Sequence, residues 1–196
     1  AETRFSWRCD AEMAGFGALG DLGVHMIDGA SFITGQRMTA VTGQAQTLLK
    51  TRRDEQGNER PVTVDTNCAF LGLFESGMIG TYETTQIAPG YGNYFRIEVS
   101  GEYGTIAVCS DEANRIRMFV GKSLTAYGTW SSNLPEVVIP SKFNATQGPA
   151  APASIVPAIL GEDVAFPTFE DGIRAQAVLD GIFRSMRERQ WIDLGD

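Results

Sequence analysis

Between Leu19 and Thr34 the apolar residues Leu19, Leu22, Met26, Ala30 and Ile33 fall three or four positions apart, the stripe of an amphipathic helix. Gly35 is placed to end that helix, and Asp21 falls in its first turn, where the helix dipole favours a negative charge. From Met38 to Ile139 the texture changes to Val, Ile, Thr, Phe and Tyr, broken by Gly and Asn. Such runs read as strands, here near residues 38–49, 62–74, 78–87, 94–100, 104–109, 115–121 and 136–139. The segment RRDEQGNERP reads as a hairpin-like loop, with tight turns at Glu75–Gly77 and Glu102–Gly104. Connections this short make an antiparallel sheet. The Pro- and Ala-rich SKFNATQGPAAPAS is a loop leading back to helices at Ser154–Leu160 and Phe169–Arg189, the latter offering Ile173, Ala177, Ile182 and Met186 to a sheet. The order of helix, many strands, then helices predicts an α+β fold, with helices covering one face of an antiparallel sheet.

Composition narrows the possible partners. A chain of 196 residues, 43% hydrophobic, can bury one substantial core. Its 24 acidic and 16 basic residues give a net charge of -8, the wrong sign for a nucleic-acid binder or a polybasic membrane anchor. Cys9, Cys68 and Cys109 are odd in number and lack metal or redox spacing, which points to idle thiols in a reducing compartment and a cytoplasmic location. No apolar run approaches the roughly 20 residues of a membrane helix, and AETRFSWRCD lacks a signal-peptide core. Because the chain opens at Ala1, a fragment of a longer protein is expected.

Two motifs carry candidate chemistry. Gly15, Gly17 and Gly20 spell G-x-G-x-x-G, the pattern that lets backbone amides approach a dinucleotide pyrophosphate. Its context argues against that role: FSWRCDAEMA is no buried strand, and the following strand lacks a ribose-binding acid. A flexible turn bringing the backbone close to another group is the simpler expectation. At about 100° per residue, Asp21, His25 and Asp28 share one helix face, away from the apolar stripe, and His25 is the chain's only histidine. Imidazole changes protonation near neutral pH and serves as a general acid or base. Spacing alone leaves a structural Asp–His pair as an alternative, and divalent-metal ligation as a weaker one.

The string WRCDAEMAGFGALGDLGVHMIDGASFITG resembles a segment of the glucose-fructose oxidoreductase, inositol dehydrogenase and rhizopine-catabolism protein family, through Trp7, Arg8, Gly15, Gly17, Asp21, Gly23, His25, Asp28 and Gly35. FRIEVSGEYGTIAV and FPTFEDGIRAQAVLDGIFRSMRERQWIDL resemble that family's later strand–turn–strand and its final helix and closing strand. The resemblance implies that residues 1–196 form the C-terminal substrate-binding and oligomerisation domain, built on a large open, mainly antiparallel sheet, of an NAD- or NADP-dependent oxidoreductase acting on a sugar, polyol or related cyclic alcohol. It implies that His25 exchanges the hydroxyl proton, that Asp21 orients and polarises, and that Trp7, Arg8 and, more weakly, Tyr91 line the substrate. Asp28 is expected to anchor the helix. A lysine completing the site and the cofactor-binding domain belong to an N-terminal half absent from this chain, so residues 1–196 alone are expected to bind no nicotinamide cofactor and to be inactive. Neither a cofactor contact nor a metal is assigned to this chain. A homo-oligomer is expected through the open sheet face, since uncovered apolar sheet usually marks a subunit contact. A non-catalytic binding or dimerisation module and half of an NAD-dependent glycosidase are the alternatives.

Overall fold

The computed structural model describes residues 4–112, 115–121, 136–138, 156–162 and 166–195. They fall into two compact units, one of Ala1–Pro89 with Pro167–Asp196 and one of Gly90–Phe166. The first unit opens with a 3-10 turn at Trp7–Cys9 and a short α1 at Ala11–Ala14. A π-turn, Leu19–Gly23, then runs without a break into α2, Val24–Thr34. Gly35 ends α2 in the left-handed conformation (φ 66°), as the sequence predicts.

The strands of this unit are β1 (Met38–Gln46), β2 (Thr51–Arg53), β3 (Glu59–Pro61), β4 (Asn67–Phe74), β5 (Ile79–Thr85) and, from the end of the chain, β10 (Ile192–Asp193). They make an antiparallel sheet in the order β10-β1-β4-β5, while β2 and β3 form the hairpin foreseen in RRDEQGNERP. The expected strand over residues 62–74 begins only at Asn67. Ahead of it the backbone turns to bond the N-terminal segment instead, Thr63 N donating to Cys9 O (3.0 Å). Cys9, Val62 and Val64 make a small satellite core there.

Helix α3 (Phe169–Glu188) lies across the sheet. A capping box starts it: Asp171 N donates to Thr168 Oγ1, and Thr168 N donates to Asp171 Oδ2. The Thr168 hydroxyl, which donates to Asp171 Oδ2 (2.7 Å), and then Thr168 N hold the Asp171 carboxyl below its ordinary range. The buried face is Ala175, Val178, Leu179, Gly181, Ile182 and Ser185. Of the four residues expected there only Ile182 is fully buried; Ile173 and Ala177 are exposed. Helix and sheet approach so closely that small residues form the seam, which hydrophobicity alone does not reveal. A Cβ on Gly181 would stand 2.6 Å from Leu194 Cδ2 and 2.9 Å from Val41 Cγ2. Beneath α3, β4 alternates cleanly, with Cys68, Phe70, Gly72 and Phe74 buried. On the other face Ala69 and Leu71 of β4 and Ile79, Thr81 and Glu83 of β5 are exposed.

The second unit is an antiparallel sheet in the order β6 (Arg96–Gly101), β7 (Gly104–Cys109), β8 (Arg115–Val120) and β9 (Glu136–Val138). Its register pairs Ile97 with Val108 and Val99 with Ile106, then Val108 with Ile116 and Ile106 with Met118, so six apolar side chains share one face. The Glu102–Gly104 turn falls where the sequence places it, and Gly104 is obligatory, because a Cβ would lie 2.2 Å from Phe119 O. Part of the expected Ser154–Leu160 helix appears as a helical turn at residues 156–159; Ser154 itself and SKFNATQGPAAPAS lie outside the described residues. The α+β class and antiparallel pairing are as expected, with the strand ladders divided between the two units. Among the described residues no helix is long and apolar enough to cross a membrane.

Candidate active site

The glycine turn ahead of α2 is built around one carboxylate. Asp65, only 6% exposed, lies just before β4. Its Oδ1 accepts from Gly17 N (2.7 Å) and its Oδ2 from Leu19 N (2.8 Å), while its carbonyl oxygen accepts from Ala18 N (3.0 Å). Three successive amides at the start of a helix thus converge on a single residue, satisfying donors that a helix N-terminus otherwise leaves orphaned. Gly17 permits this contact, since a Cβ there would fall 1.8 Å from Asp65 O. The group approached by the Gly-rich turn is therefore the protein's own carboxylate. Amides committed to Asp65 are not free to cradle a pyrophosphate, so the G-x-G-x-x-G pattern does not fit a dinucleotide here. Burial, and then the nearby Asp65 carboxylate, push the Cys68 thiol up to about 12, leaving it unreactive near neutral pH.

The π-turn changes which residues face inward. Its i→i+5 bonding inserts an extra residue per turn, and the buried row runs Leu19, Gly23, Ile27. The stripe expected through Leu22 and Met26 is displaced by one position, and Ile33 is exposed. Asp21 sits mid-way through this turn. Its Oδ1 accepts from Arg8 Nη1 (2.9 Å) and its Oδ2 from Gln86 Nε2 (3.4 Å). The Arg8 guanidinium also lies over the Trp7 ring at 5.4 Å, a cation–π arrangement. Both members of the Arg8–Asp21 pair are substantially exposed, so the pair contributes at most about 1 kcal/mol to stability. Its effect is to aim the carboxylate.

The structure thus gathers Trp7, Arg8 and Asp21, with His25 exposed one turn further along the same helix. No hydrogen bond joins Asp21 to His25, and His25 has no hydrogen-bond partner among the described residues. Asp28 is half-buried and its side chain makes no hydrogen bond among the described residues; Asp65 anchors the turn ahead of the helix instead. Among the described residues no group of three His, Cys, Asp or Glu side chains is placed to hold a metal ion. Tyr91 belongs to the second unit, where it is exposed and packs edge-on against Tyr94 at 5.1 Å.

Two participants escape sequence reasoning, Asp65 and Gln86. Asp65 leaves a faint signal, a lone acid inside the alternating V-T-V-D-T run. Gln86, following β5, leaves none. Besides touching Asp21, Gln86 borders an open cavity of about 640 Å³ between the β2–β3 hairpin and the chain after β5, which Arg4, Arg52, Arg53 and Ile87 also line. Arg52 Nε is buried without a hydrogen-bond partner.

The chain as a whole is similar to known proteins. The family model described as GFO/IDH/MocA C-terminal domain matches residues 1–107. Levoglucosan dehydrogenase of Pseudarthrobacter phenanthrenivorans is 28% identical over 216 residues, covering 96% of this chain and 54% of that protein. Among solved structures, an oxidoreductase domain protein from Kribbella flavida superposes with a TM-score of 0.84 at 29% identity, covering 100% of this chain and 56% of its own. A levoglucosan dehydrogenase in complex with NADH and levoglucosan superposes with a TM-score of 0.82 at 25% identity, covering 99% of this chain and 54% of its own. The chain therefore spans about half the length of the relatives it matches.

Proposed function

The chain belongs to the GFO/IDH/MocA C-terminal domain family, and from that premise we propose that it is the substrate-handling half of an NAD- or NADP-dependent oxidoreductase acting on a sugar, polyol or related cyclic alcohol. The observation that carries this reading is the arrangement of an aimed carboxylate, Asp21, one helical turn ahead of an exposed histidine with no hydrogen-bond partner among the described residues. The cofactor is held by a nucleotide-binding half of the longer protein, because the one glycine motif of phosphate-binding type is occupied by Asp65.

The chemistry a nicotinamide supplies is hydride exchange with the carbinol carbon. This chain's part is the proton. As hydride leaves a carbinol, the hydroxyl proton must pass to a base; His25 takes it at an imidazole nitrogen, and in the reverse direction returns it to the carbonyl oxygen. Asp21, fixed by Arg8 and Gln86, hydrogen-bonds the same hydroxyl and polarises it. Trp7 and Arg8 present an aromatic edge and guanidinium donors to the sugar. The exposed β4–β5 face supplies a subunit contact in a homo-oligomer.

The test uses the full-length protein with a panel of sugars, polyols and glycosides, following reduced nicotinamide and product identity. His25→Ala is expected to lower the rate by about 100-fold or more, and Asp21→Asn to lower it with cofactor affinity intact. Unchanged turnover in both variants overturns the assignment. Release of an aglycone with no net cofactor reduction assigns a glycosidase instead.

A further inference from the structure

We propose that Asp65 is a positioning residue for the proposed reaction, an internal anion that locks the π-turn and thereby sets where Asp21 points. The inference rests on the function proposed above for Asp21. Three observations carry it. The amides of Gly17, Ala18 and Leu19 all end on Asp65, two on its carboxylate and one on its carbonyl oxygen. Consecutive amides at a helix start form an anion site, and here the anion is supplied from within the chain, across 46 and 48 positions of sequence.

The second observation is the geometry being held. Asp21 lies inside a π-turn, and reversion of that turn to ordinary α pitch would rotate the residue relative to the rest of the helix. Such a rotation would carry its carboxylate away from Arg8 and Gln86. Charge-assisted bonds to Gly17 and Leu19 oppose it by fixing the turn at its first residues. Third, the neighbouring residue holds the other side of the site: Gln86 N donates to Thr66 O at 2.9 Å. The Asp65–Thr66 dipeptide therefore braces the turn that bears Asp21 with its side chain and the backbone of Asp21's partner Gln86 with the next carbonyl. Neither residue need touch substrate to govern the site.

The experiment compares Asp65→Asn and Asp65→Ala with wild type in the full-length protein, with and without added formate. Formate supplies the missing carboxylate. Backbone donation from Ala18 N survives either change, keeping the vacated pocket close to its native shape. Expected for Asp65→Ala is a fall in kcat on the order of 100-fold, with nicotinamide affinity unchanged and partial recovery in formate. Hydrogen–deuterium exchange is expected to rise in the peptide spanning residues 16–26 and to fall again with formate. Unchanged kcat in Asp65→Ala, while Asp21→Asn loses activity, overturns the proposal. So does exchange rising throughout the first unit without formate rescue, which makes Asp65 a residue of the fold alone. If His25→Ala and Asp21→Asn keep full turnover, the functional reading fails separately; the exchange measurement still decides whether Asp65 anchors the turn.

Discussion

Beneath α3 the first unit is packed with Val41, Leu179 and Ile182, each almost wholly buried, whereas the turn ahead of α2 closes on one buried carboxylate and a glycine with no room for a methyl group. The two regions belong to one unit and divide the work. Each side chain under α3 contributes about 1.5–3 kcal/mol through burial, and that contribution is spread over many neighbours. The turn depends on three bonds that begin at adjacent amides and end on one residue, and a single change at Asp65 removes the two that end on its carboxylate. A diffuse core sets how stable the unit is; a concentrated polar anchor sets where Asp21 lies.

The sharpest way to break this division is Ile182→Ala. Truncation of a fully buried Ile is expected to cost about 2–5 kcal/mol in denaturant unfolding, with kcat per folded molecule unchanged. A fall in kcat of the folded fraction would show that core and site are not separable. Gly17→Ala is the converse. Forcing a Cβ towards Asp65 O is expected to cost about 1–3 kcal/mol and to lower kcat beyond what lost stability explains; normal activity in the folded fraction would show that the turn tolerates displacement.

The remaining expected effect is alkaline. Cys68 is raised in the folded state from an ordinary 9.0 to about 12, and burial likewise raises Tyr82 from 10.0 to about 12. As pH climbs through that window the unfolded chain releases these protons first, so stability is full below about pH 9 and declines towards pH 12. Denaturation midpoints measured in steps across the window should fall, and less steeply in Cys68→Ala. An identical slope in wild type and variant would assign the decline to other groups.

The sequence makes legible what repeats locally. Gly35 at the end of α2, the Glu75–Gly77 and Glu102–Gly104 turns and the β2–β3 hairpin lie where turn chemistry puts them. The α3 face is misjudged because Gly181 and Ser185 bury through close approach rather than hydrophobicity. The stripe of the first helix slips by one residue because a π-turn interrupts the uniform α pitch. Within the site, the Trp-Arg pair and the Asp–His helix stand out in the sequence, but their supports do not. Asp65 and Gln86 reach the site from 46 to 65 positions away, and no local pattern encodes a bond across that span.

The extra residue in the π-turn also bears on how such a chain can vary by descent. A substitution at exposed Asp21 or His25 alters chemistry at one point and leaves the backbone path alone. Loss or gain of one residue between Asp21 and His25 acts differently: it would turn one end of the helix against the other by about 100°, separating Asp21 from His25 without changing either. This short stretch should therefore accept new letters far more readily than a new length.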